Sequence, residues 1–312
     1  MLALLFPGQG SQEVGMGRDV CEASAAARAV YEEADSVLGR PLSRLCFEGP
    51  ESELRRTEIQ QPAILVTSVA LLRALEERAP LAPGLLAGHS LGEYTALVAA
   101  GALSLADAVA LVHARGRFMQ EAVPEGRGAM AAVLGCPAEA VEEACSAVRG
   151  RSRAVVEPAN YNAPGQTVIA GESAAVEAAA QEARSRGARR VIPLEVSAPF
   201  HCRLMAPAAE KLAAELSRVR FAAPRVPVVT NVEAAPNARA ERIPELLQRQ
   251  VTAPVRFDAS VRRLAAEGVT KVLEVGPGRV LTGLAGRIDR TLERANAGGL
   301  GDLEAAAAFG AG

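Results

Sequence analysis

Tryptophan is absent from this 312-residue chain and aromatic residues make up only 3% of it, so the core has to be assembled mostly from Ala, Leu and Val. The cysteines Cys21, Cys46, Cys136, Cys145 and Cys202 are odd in number and contain no C-x-x-C pair. That pattern argues against a disulfide framework or a cysteine zinc site, with no metal expected, and points to a reducing cytoplasm. No apolar run approaches the roughly 20 residues needed to span a bilayer. The opening stretch Met1–Pro7 is too short for a signal peptide and lacks its basic flank, so it reads as a first buried strand. Excess positive charge is missing too: the net charge of −2 provides no field to recruit nucleic acid. Histidine is limited to His89, His113 and His201. What remains, 49% hydrophobic and 22% charged residues, is the composition of a soluble globular protein, long enough for one large domain with an insertion.

The most informative segment is Gly88-His89-Ser90-Leu91-Gly92, a G-x-S-x-G pattern. The apolar run Gly84-Leu85-Leu86-Ala87 before it reads as a buried strand, and the segment from Glu93 to Ala100 reads as a helix. A strand, a tight glycine-flanked turn and a helix form the context of a nucleophile elbow. The glycines are needed because the crowded turn has no space for a Cβ. The serine oxygen then projects at a helix N-terminus, where backbone N–H groups can hold a developing negative charge.

Strand-like and helix-like segments alternate throughout, which predicts an α/β protein with a mainly parallel sheet. Residues 61–78 predict a buried helix with Pro62 in its first turn, and residues 104–120 a second helix with Ser104 as N-cap. Between 124 and 195 the order strand, helix, two strands, helix, strand predicts a ferredoxin-like small subdomain inserted into the main domain. The expected organisation is therefore a large catalytic domain over 1–123 and 196–294, the insertion over 124–195, and a flexible Gly- and Ala-rich tail over 295–312 that adds little to the core. Gly276-Pro277-Gly278 reads as a strand-to-helix turn, since no Lys-Ser/Thr follows to make a phosphate loop.

A nucleophilic serine needs a base. His89 sits inside the elbow with its side chain directed away from Ser90, and His113 lies mid-helix, which leaves His201 as the candidate where a predicted strand gives way to a helix. No Asp or Glu stands out as a third member, so the imidazole is either oriented by a backbone carbonyl or by an acid the pattern does not reveal. Cys202 beside His201 reads as a small buried residue.

Seven blocks in order carry a resemblance: Phe6-Pro7-Gly8-Gln9-Gly10-Ser11-Gln12, Gln61-Pro62-Ala63, Gly88–Tyr94, Arg115-Gly116-Arg117-Phe118-Met119, Asn160–Gln166, Phe200-His201 and Glu274–Gly278. From residue 1 to about 290 the chain resembles the malonyl-CoA:acyl-carrier-protein transacylase family. The resemblance implies an α/β-hydrolase-like large domain and a ping-pong acyltransferase. Ser90 would be the acylated nucleophile and His201 its general base and acid. Gln250 would orient the histidine through its backbone carbonyl, Gln9 and Leu91 would supply oxyanion-hole N–H groups, and Arg115 would bind the free malonyl carboxylate. His89, Met119, Asn160 and Phe200 are expected in the substrate pocket. No bound cofactor is implied, with malonyl-CoA as substrate and a phosphopantetheinylated acyl carrier protein as partner of a monomeric enzyme that engages neither nucleic acid nor membrane. Arg184, Arg186, Arg189 and Arg190 cluster in the small subdomain; of these, Arg189 and Arg190 are the candidates for docking an acidic carrier. Phe200 before His201 resembles the pair in malonyl-selective polyketide acyltransferases, which leaves fatty-acid and polyketide settings both open. A serine thioesterase or acyl hydrolase uses the same machinery and is the alternative.

Overall fold

The computed structural model describes residues 1–311, in which ten strands form two sheets. In chain order they are β1 (Leu2–Phe6), β2 (Leu85–Gly88), β3 (Gly128–Leu134), β4 (Val156–Ala163), β5 (Gln166–Glu172), β6 (Arg190–Pro193), β7 (Val228–Val229), β8 (Pro236–Asn237), β9 (Lys271–Val275) and β10 (Glu293–Ala297). The six-stranded sheet has the order β10-β9-β1-β2-β7-β8, parallel except for the final pair. β1 is flanked by β9 and β2 and covered on both faces, which explains why it reads as an unbroken apolar run. Its alternate residues divide between two cores: Leu2, Leu4 and Phe6 enter one, Ala3 and Leu5 the other.

The four-stranded sheet has the order β4-β5-β3-β6 and is antiparallel throughout. With helices Ala138–Ser152 and Ser173–Ser185 between its strands, it has the expected ferredoxin-like connectivity. β4 runs on past Pro158 to Ala163. The extension carries Asn160 and Asn162. It is tied to the larger part of the fold by the Tyr161 N–H donating to the Val255 carbonyl at 2.8 Å and the Val255 N–H donating to the Ala159 carbonyl at 2.9 Å.

Two expectations require correction. The first concerns Pro62, which lies inside a helix spanning Thr57–Glu76 rather than in its first turn. Proline has no N–H for the carbonyl four residues back. His113 fills that place, its Nδ1 donating to the Glu58 carbonyl at 2.9 Å. This contact gives His113 a structural task. The second concerns the segment expected to be a tail. β10 pairs in parallel with β9, and helix Leu303–Ala311 packs on the Thr57–Glu76 helix with Leu303, Ala306 and Ala307 buried. Alanine presents little apolar area, so a stripe made mostly of alanine has weak periodicity even where it seats a helix tightly.

Candidate active site

β2 ends at Gly88 and the next helix, Gly92–Ala99, starts four residues later, so Ser90 occupies the bend with a left-handed φ of 51°. Both flanking glycines are required by close approach. A Cβ on Gly88 would lie 2.0 Å from the Gly92 carbonyl, and one on Gly92 would lie 2.0 Å from the Phe6 carbonyl oxygen of β1. The strained bend is held at both of its backbone groups. The Ser90 N–H donates to Asn231 Oδ1 at 2.6 Å, and Gln250 Nε2 donates to the Ser90 carbonyl at 3.0 Å.

Ser90 Oγ lies 2.7 Å from His201 Nε2, and His201 Nδ1 lies 2.8 Å from the Gln250 backbone carbonyl. A carbonyl only accepts, so Nδ1 carries the proton and Nε2 is left as the acceptor for the serine hydroxyl. Of the two possibilities left open by the sequence, the geometry has a backbone carbonyl, and no carboxylate, against Nδ1. His201 is itself left-handed at φ 60° and 3% exposed. Burial and, secondarily, the nearby Arg115 guanidinium push its pKa down to about 3. The folded imidazole is therefore neutral throughout the physiological range and becomes protonated only as pH falls through that value. Acylation of Ser90 is accordingly expected to show no loss centred near the ordinary histidine pKa of about 6.5. A rate profile measured with an uncharged activated ester between pH 5 and 8 checks this; a midpoint near 6.5 would contradict it.

Arg115 projects from helix Leu105–Glu121 and is 1% exposed. Its Nη1 donates to Gln61 Oε1 at 2.7 Å; its Nη2 donates to Ser90 Oγ at 3.0 Å and to Gln250 Oε1 at 2.9 Å. Its guanidinium stands over the Tyr94 ring at 5.5 Å, and its Nε has no hydrogen-bond partner among the described residues. Burial lowers its pKa from the ordinary value. A buried cation beside a nucleophile, in the lining of one cavity, is a site for an anion that arrives with the substrate.

Ser90, His201 and Arg115 line one cavity of about 310 Å³, and Gln9, His89, Met119, Asn160 and Phe200 line it with them. His89 turns from Ser90 toward Asn162 Oδ1, 2.8 Å from its Nε2. Leu91 and Gln250 are buried behind the cavity wall. Neither the Gln9 nor the Leu91 backbone N–H finds an acceptor among the described residues. Arg189 and Arg190 are exposed and stand outside this cavity, Arg189 lining a separate depression with Tyr161 and Arg262. Arg186, by contrast, is paired with Glu143 and Glu182. Cys202 is buried, its thiol pushed up to about 12 by burial and 3.1 Å from the Pro199 carbonyl, as an inert packing residue should be.

Sequence reasoning missed Asn231, Glu93 and the part played by Gln61. Asn231 stands just beyond β7, a strand end of the sheet that carries the elbow, and that position was the available signal. Glu93 directly follows the elbow motif, and Gln61 belongs to one of the quoted blocks, but neither shows its partners in the sequence.

Residues 3–298 match the family described as the acyl transferase domain. The chain is 50% identical over 291 residues to the malonyl CoA-acyl carrier protein transacylase of Escherichia coli K12, covering 93% of each. It is 50% identical over 292 residues to the Bacillus subtilis protein of the same name, covering 94% of this chain and 92% of that one. Among solved structures it superimposes with a TM-score of 0.95 and 46% identity on a malonyl-transacylase in complex with its type II polyketide synthase acyl-carrier protein, over 98% of this chain and 99% of the other. The chain belongs to the acyl transferase domain family, among its malonyl CoA-acyl carrier protein transacylases.

Proposed function

We propose that the protein moves a malonyl group from malonyl-CoA to the phosphopantetheine thiol of an acyl carrier protein, for fatty-acid or polyketide synthesis, through a malonyl-Ser90 intermediate. The observation that carries this reading is the position of Ser90 Oγ, shared between the acceptor nitrogen of His201 and the guanidinium of Arg115. His201 Nε2 takes the hydroxyl proton as Ser90 Oγ bonds to the thioester carbon. The oxyanion that forms is met by the N–H groups of Gln9 and Leu91. Its collapse breaks the carbon–sulfur bond, and His201 returns the proton to the departing CoA sulfur. The carrier thiol then repeats the sequence in reverse: it gives its proton to His201, attacks the malonyl ester, and Ser90 recovers its hydrogen.

Arg115 selects the acyl group. A guanidinium grips a carboxylate through two parallel charge-assisted hydrogen bonds, and an acyl group without the carboxylate leaves that buried cation unpaired. Phe200, 6% exposed in the cavity wall, restricts space around the acyl group and so favours malonyl over its α-methyl homologue by about 1–3 kcal/mol. The scheme requires no metal or redox cofactor. The same reading has Arg189 and Arg190 contributing to docking of an acidic carrier, and the enzyme acting as a monomer in the cytoplasm. Five free cysteines are in keeping with that compartment, and no helix among the described residues is long and apolar enough to cross a membrane.

The test is product analysis with malonyl-CoA and a phosphopantetheinylated carrier protein present together. Malonyl-carrier protein formed in excess of free malonate is expected. Malonate as the main product would make the protein a hydrolase.

A further inference from the structure

Glu93 is a buried carboxyl group that none of these acyl-transfer steps uses. It lies in the first turn of the helix after the elbow and is 2% exposed. Its Oε2 accepts two hydrogen bonds, from the Asn231 backbone N–H at 3.0 Å and from Gln250 Nε2 at 2.7 Å. Both donors belong to residues that also hold Ser90. The link to Gln250 has a further consequence for Arg115. A carboxylate offers only acceptors, so it admits the amide nitrogen of Gln250 and rejects the amide oxygen. The Ser90 carbonyl beside it makes the same selection. With its nitrogen held on that side, Gln250 presents Oε1 to Arg115, where it accepts from Nη2 at 2.9 Å. Turned over, the amide would place N–H groups against a guanidinium that has no acceptor, and its oxygen against two other oxygens.

We propose that Glu93 is a positioning residue for acyl-group recognition: by fixing the orientation of the Gln250 side-chain amide, it holds the Arg115 guanidinium where the distal carboxylate of the acyl group binds. The assignment rests on the acyl-transfer reading above and deepens it. Burial pushes the Glu93 carboxyl up to about 7. Both hydrogen bonds nevertheless fall on Oε2, and a proton on Oε1 leaves them in place, so the clamp acts in either ionisation state.

Acylation of the full chain by malonyl-CoA and by para-nitrophenyl acetate, an activated ester with no carboxylate, separates this role from packing. Glu93→Met keeps the length but removes the acceptor, so the Gln250 amide nitrogen loses its shortest anchor at 2.7 Å and keeps only the Ser90 carbonyl at 3.0 Å on that side. Its acylation by malonyl-CoA is expected to fall about tenfold further than its acylation by the acetate ester, the equivalent of one charge-assisted hydrogen bond. The loss should be carried mainly by KM. Glu93→Asp, which retains an acceptor-only group, is expected to recover most of the ratio. Gln250→Met removes the same link from the other side while keeping the backbone carbonyl that orients His201. It should show the same split, and adding Glu93→Met to it should lower the ratio no further, because both act through one contact. Parallel losses on the two esters, following the loss of thermal stability, would overturn the proposal, as would no loss on either. If the wild-type chain takes no malonyl group, the acyl-transfer reading itself fails. If it does and the ratio is unmoved in the variants, only the assignment of Glu93 fails.

Discussion

Ser90→Ala is expected to abolish acyl-enzyme formation and to slow malonyl transfer by roughly 10⁴- to 10⁶-fold, the scale on which removal of a nucleophile acts in serine enzymes. The size of the effect follows from the absence of a substitute. Cys202 adjoins His201 in the sequence, but its thiol is buried and held well above its ordinary pKa, so little thiolate exists to attack. Alanine at residue 90 loses the Oγ contacts with His201 and Arg115 but none of the backbone ones. The left-handed φ of 51° is strained for any side chain, yet the hydrogen bonds from Gln250 and to Asn231 engage the backbone and survive the substitution. The variant should therefore fold, bind malonyl-CoA and fail at chemistry, which single-turnover kinetics and circular dichroism together would show. Retention of more than about one per cent of the activity would remove Ser90 from the mechanism, since such a residue accounts for far more than a hundredfold.

Arg115→Ala carries the second large expectation. Two charge-assisted hydrogen bonds to the malonyl carboxylate, at about 1.5–3 kcal/mol each, correspond to a loss of roughly 10²- to 10⁴-fold in kcat/KM for malonyl-CoA. Acylation by an ester without a carboxylate should change far less, so the preference for the dicarboxylic acyl group collapses. Arg115→Lys is not expected to restore it, because an ammonium lacks the planar fork that meets both carboxylate oxygens and cannot hold Gln61 and Gln250 together as the guanidinium does. The comparison of kcat/KM for the two acyl donors in each variant is the check. Equal losses on both would mean that Arg115 serves the serine rather than the substrate.

Much of this arrangement is legible in the sequence wherever local chemistry dictates local geometry. The apolar run at Leu2–Phe6 and the glycines on either side of Ser90 follow from burial and close approach, and the structure realises both. Ser104 caps its helix as its residue type predicts, accepting from the Asp107 N–H. The sequence is silent where the deciding partner is remote. Pro62 is tolerated inside a helix because His113, far along the chain, supplies the donor that the proline removes. The Ala-rich C-terminal helix is seated by contact with the Thr57–Glu76 helix rather than by large apolar residues of its own. The candidate site shows the same division. Ser90 and His201 could be identified from the elbow and from the scarcity of histidine. The contacts of Gln250 and Asn231 with the elbow and with Glu93 span 138 to 160 residues of sequence, and only the parallel sheet's crossovers bring them together.

The central claim is that one serine carries the acyl group between two thiols. Intact mass of the protein after brief exposure to malonyl-CoA, removal of free donor and addition of phosphopantetheinylated carrier protein tests it most directly. The account predicts a single malonyl adduct that is absent from Ser90→Ala and passes to the carrier. An adduct released as malonate while the carrier stays unloaded would contradict it, and so would a carrier loaded only while free malonyl-CoA is present.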